Sequence, residues 1–460
     1  MKAISFRQIT TLIAALAFSA VVAFAQAPSG ASMSMTTPDN VTAGRVNVND
    51  PNNNVWVIQY STNLTDWNAF ATWKVFNGSF GTTVNFHGSV PGVFYRAIFD
   101  SAQQTVPDTL STALLLPETS LNYANVTLPP YYLAPPVANT DNTPATNHIT
   151  DAGATLGRVL FYDKRLSTNQ TVACASCHQA QHGFSDPNPV STGFNGSKGT
   201  RNAMSLNNAR YYQRGHFFWD ERANTLEDQV LMPIQNPIEM GMTLPALVTR
   251  LNAEPYYTNL FAKTFGSPTV TTNGISLALA QFVRSIVSTN SKYEQGIPIG
   301  FSNFTPQENL GRQIFFGQVG GATCAVCHTT DSFSAANIFN NGLEFPYVDT
   351  GVGGITGRQQ DMGLFKVPSL RNIELTAPYM HDGRFTNLEQ VVEFYNSGIV
   401  DNPNLSPPLR TGRPPQPPGG PLRLNLTTAQ KAALVAFLKT LTDTSLTTDP
   451  RFADPFNYGN

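Results

Sequence analysis

The chain has 460 residues, of which 41% are hydrophobic and 13% charged, with a formal net charge of −2. Charged residues fall well below the roughly 25% of an average globular protein, and the near-neutral balance leaves no electrostatic footprint for nucleic acid or an anionic membrane. This length suffices for two or three domains with a sizeable core, which excludes a disordered chain.

The N-terminus carries an export pattern. Lys2 and Arg7 give a positive start, an apolar run follows from Leu12 to Ala25, and "AFAQ" offers an Ala-x-Ala cleavage site after Ala25. The run is shorter than the ~20 residues of a spanning helix. Residues 1–25 are therefore expected to be a signal peptide, leaving a periplasmic or otherwise exported protein with no membrane span after cleavage.

The stretch 41–100 follows a different pattern. "VWVIQYSTNLTDWNAF" alternates around Val55, Val57 and Gln59, and "GVFYRAIF" closes the segment as a second aromatic, β-branched run. Alternation between turn residues predicts a small β-sandwich-like module, read as an accessory or spacer. Residues 101–150, including "LPPYYLAPP", are a Pro/Thr/Asn-rich connector expected to wrap over the next domain.

An internal repeat begins at Leu156. "LGRVLFYDKRLS" precedes "ACASCHQAQHGF", with Cys174, Cys177 and His178, and "LGRQIFFGQVGG" from Leu310 precedes "TCAVCHTTDSF", with Cys324, Cys327 and His328. These are the chain's only 4 cysteines. In an oxidising compartment they could form disulfides, and Cys-x-x-Cys-His twice could hold zinc, but neither use accounts for the sequence as well as haem does. C-x-x-C-H is the attachment signature of c-type haem: two thioethers consume both thiols and the histidine ligates iron.

Between and after the motifs the periodicity is helical. "TLPALVTRLN" has Leu244, Leu247, Val248 and Leu251 on one face with Thr243 as N-cap, and "GISLALAQFVRSIVS" reads as a buried helix. "TTAQKAALVAFLKTL" starts with a Thr427–Gln430 capping box. The expected class is mainly α: two cytochrome c-like haem domains in tandem, 151–300 and 301–445, preceded by the β-rich module.

"GTRNAMSLNNA", "HFFWDERANTLEDQVLMPIQNPIEMG" and "FKVPSLRNIELTAPYMHDGRFTNLEQVVEFYNSG" closely resemble the bacterial di-haem cytochrome c peroxidase family, over about Leu156–Leu441. The resemblance implies that the N-terminal haem reacts with hydrogen peroxide while the C-terminal haem relays electrons from a small cytochrome c or cupredoxin. It implies that Trp219 stands between the haems, that Gln229 and Pro233 line the distal pocket, and that Glu239 is the distal acid. A carboxylate there can take a proton from peroxide and return it to the leaving oxygen.

Two departures bear on function. Family members cap the resting first haem with a loop histidine, whereas "GFNGSKGTRN" has none and Ser197 stands near its place, so an open first haem is expected. His182, after the first motif, is expected only to make local hydrogen bonds. The usual methionine ligand of the second haem is replaced by Tyr395, the pattern of MauG-like relatives that oxidise a partner protein. Tyr395 is expected to ligate the second haem; it shares a helical face with Leu388, Val391 and Val392, so a core position is the alternative, with Met380 and Met362 as fallback ligands. The resemblance further implies calcium near Asn208, Thr376 and Pro378, propionate contacts from Arg201, Arg222 and Arg371, and a turn-ordering role for His381. Three functions compete: peroxidase, MauG-like oxidase, and non-enzymatic electron carrier. A carrier has no need of Gln229 and Glu239.

Overall fold

The computed structural model describes residues 113–457 except 118, 323 and 413–418, together with Asp50 and seven strands between 22 and 99. Positions 1–21 of the expected leader lie outside the described residues. Among those described, no helix is long and apolar enough to cross a membrane.

The chain divides into two compact units. The first comprises residues 1–122, 254–269 and 448–460. Its strands are β1 (Val22–Ala25), β2 (Ser32–Thr36), β3 (Ala43–Asn49), β4 (Val55–Ser61), β5 (Asn68–Lys74), β6 (Ser79–Asn85) and β7 (Phe94–Phe99). They form two sheets, ordered β1-β7-β4-β5 and β2-β3-β6. The end of the expected leader is thus β1, paired in parallel with β7. Trp56 is fully buried, and its Nε1 donates to Asp50 Oδ2 at 2.9 Å.

The second unit, residues 123–253 and 270–447, is mainly helical and contains both repeats. Four helices frame it: α1 (Asp151–Tyr162), α2 (Thr272–Ser285), α3 (Pro306–Phe315) and α4 (Thr428–Lys439). Each starts on a threonine that accepts a backbone N–H: Thr150 for α1, Thr271 for α2, Thr305 for α3 and Thr427 for α4. Such caps satisfy an otherwise orphaned donor and are worth about 1 kcal/mol each. The Thr427–Gln430 box is formed, and Thr243 caps the helix Leu244–Asn252.

The repeated Leu-Gly-Arg has a packing reason. Gly157 of α1 lies directly on the Ala278 carbonyl and Phe282 of α2, and Gly311 of α3 lies the same way on Ala433 and Phe437 of α4. Only a residue without Cβ permits that approach. Each L-G-R glycine therefore meets an Ala-x-x-x-Phe on its partner helix, so the duplication extends to a second, more diverged pair of segments. Leu156, Leu160, Leu279 and Phe282 are buried around the first contact; Ile314, Phe315, Leu434 and Phe437 around the second. Full burial of each such side chain contributes roughly 1.5–3 kcal/mol.

From Tyr123 on, the Pro-rich arm belongs to this unit. Tyr132 and Val137 are buried with Tyr211, and Arg210 pairs with Asp141 at 2.6 Å.

Candidate functional site

Each Cys-x-x-Cys-His opens with a helical turn, Cys174–Cys177 in the first copy and Cys324–Val326 in the second. The histidine is then held by one device used twice. His178 Nδ1–H donates to the Phe184 carbonyl at 3.0 Å, and His328 Nδ1–H to the Phe333 carbonyl at 3.3 Å. A carbonyl can only accept, so Nδ1 carries the proton and Nε2 keeps its lone pair, as a ligating imidazole requires. Phe184 and Phe333 both adopt positive φ, 56° and 50°, which turns their carbonyls back onto the ring. Burial lowers both imidazole pKa values, that of His328 to about 4, keeping the rings neutral.

All four cysteines are free thiols. Burial pushes Cys174 and Cys327 up to about 12 and Cys324 to about 11. Among the described residues no group of three or more His, Cys, Asp or Glu side chains is placed to hold a bare metal ion, so each motif does not close as a zinc cage. Unpaired thiols beside a preset imidazole do fit a c-type haem.

A cavity of about 240 Å³ adjoins the second motif. Cys324, Cys327 and His328 line it, and so do Met380, Tyr395 and Asn341. Leu388, Val391 and Val392 share the lining with Tyr395, so the helical face read from sequence faces this space. Tyr395 sits where the helix Leu388–Glu393 passes into a π-helical turn, Phe394–Gly398. Such turns widen a helix and recur at functional positions. Asn341 Nδ2 donates to Tyr395 Oη at 3.4 Å and approaches Met380 Sδ at 3.6 Å. Burial pushes the Tyr395 phenol up to about 12, and the Asn341 bond works against that shift. Met362 does not line the cavity; its sulfur packs against Gly353, which removes it as a ligand candidate.

Near the first motif, Glu239 follows two single helical turns, Leu226–Gln229 and Met232–Gln235, that carry Gln229 and Pro233. All three side chains are partly buried. Glu239 Oε1 accepts from Asn236 Nδ2 at 2.7 Å, and among the described residues Oε2 has no hydrogen-bond partner. Burial raises the carboxyl pKa, opposed by the Arg222 charge and the Asn236 bond. Burial is the main cause that raises the Cys174 and Cys177 thiols, and the Glu239 charge adds to it, so this carboxylate lies near the first motif. The histidine-free loop packs beside it: Phe194 N donates to the Glu239 carbonyl at 2.9 Å, and Gly193 lies on the Ile238 carbonyl. Ser197 is exposed at the loop tip. His182 is partly buried and makes no side-chain hydrogen bond among the described residues, contrary to the local bonding expected of it.

Trp219 lines the cavity at the second motif, donates to the Asn202 carbonyl at 2.9 Å and lies 6.3 Å from the His381 ring. His381 is buried, stacks on Phe365 at 4.1 Å, and lies 3.8 Å from Asp349. Arg201 bridges Asp220 and Asp349, and Arg222 pairs with the same Asp220. The propionate role expected of Arg371 does not fit. Its side chain is completely buried, pairs with Glu294, donates to the Asp331 carbonyl, and does not line the cavity. A buried carboxylate demands such a counter-charge.

Asn208, expected near calcium, has both polar side-chain atoms engaged. Asn208 Oδ1 accepts from Ser288 N at 2.8 Å and its Nδ2 donates to Tyr132 Oη, so the side chain is already used. The adjacent Asn207 Oδ1 is buried without a partner, and Asn207 and Thr376 both border Gly183. Of the residues absent from the sequence reading, the Phe184 and Phe333 carbonyls had a usable signal, since Phe-Ser follows both motifs. Asn341 had none.

A family model described as di-haem cytochrome c peroxidase matches residues 151–298. The chain is 37% identical over 245 residues to cytochrome c551 peroxidase of Nitrosomonas europaea, covering 52% of this chain and 71% of that protein. It is 34% identical over 351 residues to methylamine utilization protein MauG of Paracoccus denitrificans, covering 64% and 89%. The fold is similar to the crystal structure of a MauG-like protein associated with microbial copper homeostasis, with a TM-score of 0.61 and 36% identity over 72% of this chain and 99% of that one. Two preset imidazoles, two pairs of free thiols and these similarities agree: the chain belongs to the di-haem cytochrome c peroxidase and MauG family of peroxidase-like oxidoreductases.

Proposed function

We propose that this protein is an exported di-haem c-type peroxidase that reduces hydrogen peroxide at the N-terminal motif, with electrons entering through the C-terminal one. Cys174 and Cys177 hold one haem with His178 as ligand, and Cys324 and Cys327 hold the other with His328. When bound, haem supplies the iron at which the peroxide O–O bond is cleaved. The observation that carries the reading is Glu239: a partly buried carboxylate at the first motif with one oxygen held by Asn236 and the other free. Its free Oε2 takes the proton from one peroxide oxygen and delivers it to the other, which leaves as water. Gln229 and Pro233 border the space in which peroxide is oriented. Trp219, in the wall of the cavity at the second motif, carries electrons toward the first motif. Calcium, where present, is held by Asn207 with Thr376 and Pro378 rather than by Asn208.

A second reading, oxidation of a partner protein, is favoured by Tyr395 in the cavity at the second motif, with Asn341 donating to its oxygen. A phenolate ligand is harder than a thioether and stabilises oxidised iron.

Steady-state peroxide turnover with a reduced small cytochrome c, with and without pre-reduction of the enzyme, tests the proposal. Turnover that needs no pre-reduction is expected, because the loop 193–199 carries no histidine. Peroxide loss without cytochrome oxidation points to the second reading, and no peroxide consumption overturns both. The pH dependence has a defined sign. Glu239 works as a carboxylate and its pKa is raised by burial, so turnover falls as pH drops through that raised value. A profile flat across the whole acid range would remove Glu239 from the proton path.

A further inference from the structure

Lys366 ends β9 (Phe365–Lys366), a two-residue strand paired with β8 (Ile338–Phe339). It is 7% exposed and lines the cavity at the second motif. Its Nζ lies 4.3 Å from the Tyr212 ring centroid and 4.7 Å from that of Phe217. Among the described residues Nζ makes no salt bridge and no hydrogen bond, while the backbone N–H of Lys366 donates to the Trp219 carbonyl at 2.8 Å. The one carboxylate acting on it through space is Glu221, which is already engaged by Tyr212 Oη and by Arg214 at 2.7 Å.

A buried ammonium without a bonded anion is costly, since the attraction of two aromatic faces is small against the desolvation penalty of a charge. Burial accordingly depresses the Lys366 pKa to about 8. Two other buried cations of this unit have carboxylate partners: Arg371 has Glu294 and Arg284 has Glu227. The missing anion must reach Lys366 from the cavity. The group argued to fill that cavity carries two carboxylates on its edge.

We propose that Lys366 binds a propionate carboxylate of the haem attached at Cys324 and Cys327, so that its ammonium fixes the tilt of that haem and sets its reduction potential. This rests on the assignment of haem to the second motif. Tyr212 and Phe217 turn their ring faces to the ammonium, and the cavity that Lys366 lines is where an anion can reach it. Lys366 is a positioning residue: it touches the cofactor's edge and not the reacting atoms.

The holoprotein tests this through haem content, measured by mass and pyridine haemochrome, and through a spectroelectrochemical titration of each haem. Lys366→Met and Lys366→Gln should retain both covalent haems. Each should lower the reduction equilibrium constant of the second haem by about tenfold, as expected for removing one unit charge near a buried ion; tenfold is about 59 mV for one electron. Loss of the cation leaves the carboxylate's negative charge unbalanced, which favours the ferric state. Lys366→Arg should restore the wild-type potential, which a purely packing role would not predict. Two haems with an unchanged second potential in both neutral variants overturn the inference and leave the haem assignment standing. So does an Arg variant shifted as far as the Met variant. A wild-type protein without haem at the second motif overturns the assignment itself.

Discussion

Glu239→Gln should lower peroxide turnover by roughly 10²–10⁴-fold, the range for loss of a general acid–base group, while both haems remain attached. The substitution preserves shape and still offers Asn236 Nδ2 an oxygen to bond, so the hydrogen bond seen at 2.7 Å can persist. What it removes is the ionisable Oε2. Neither the histidines nor the cysteines depend on Glu239 for their hydrogen bonds, so covalent assembly should be indifferent to the change. Stopped-flow mixing with peroxide and haem quantification by pyridine haemochrome separate the two effects. Turnover within threefold of wild type would mean that another group moves the proton.

The second large effect concerns stability. Arg371→Met should destabilise the protein by about 3–5 kcal/mol, the cost of leaving a buried charge without its partner. Glu294, the stranded carboxylate, is 8% exposed and also accepts from Ser291 N at 2.9 Å. It cannot escape to solvent without uncapping its own helical turn. The guanidinium also lies 5.0 Å from the Phe333 ring, whose backbone carbonyl holds His328, so the damage should extend to the second haem's imidazole. Denaturant unfolding of the holoprotein measures the loss. Glu294→Gln added to Arg371→Met should recover part of the loss. A single variant as stable as wild type would show that the pair is not needed to compensate burial.

Several features of the fold were legible in the sequence because a local physical rule dictated them. The Thr427–Gln430 box and the Thr243 cap need only the residues around them. The Leu-Gly-Arg repeat was visible as a repeat, but its cause was not, because the partners of Gly157 and Gly311 lie more than a hundred residues away in α2 and α4. The same distinction runs through the site. Cysteine and histidine positions follow from spacing, and the Glu239 neighbourhood from a run of motif residues. Arg371 was expected at a haem propionate from the resemblance, and it pairs with Glu294 instead, a pairing that only the fold brings about. Asn207 and Asn208 are adjacent and chemically identical. Only the structure distinguishes the one whose oxygen is occupied by Ser288 from the one whose oxygen is bare. Asn341 and Lys366 carried no local signal, since their importance comes from a cavity assembled from distant segments.

The central claim is that each Cys-x-x-Cys-His motif holds one covalent c-type haem. Intact-protein mass spectrometry of the exported protein tests it most directly, combined with Cys324→Ser/Cys327→Ser to assign the second site. The account predicts a mass equal to the processed chain plus two haems, and one haem in the double variant. A wild-type mass equal to the bare chain, or a protein whose only prosthetic group is a metal ion released by chelators, would contradict it.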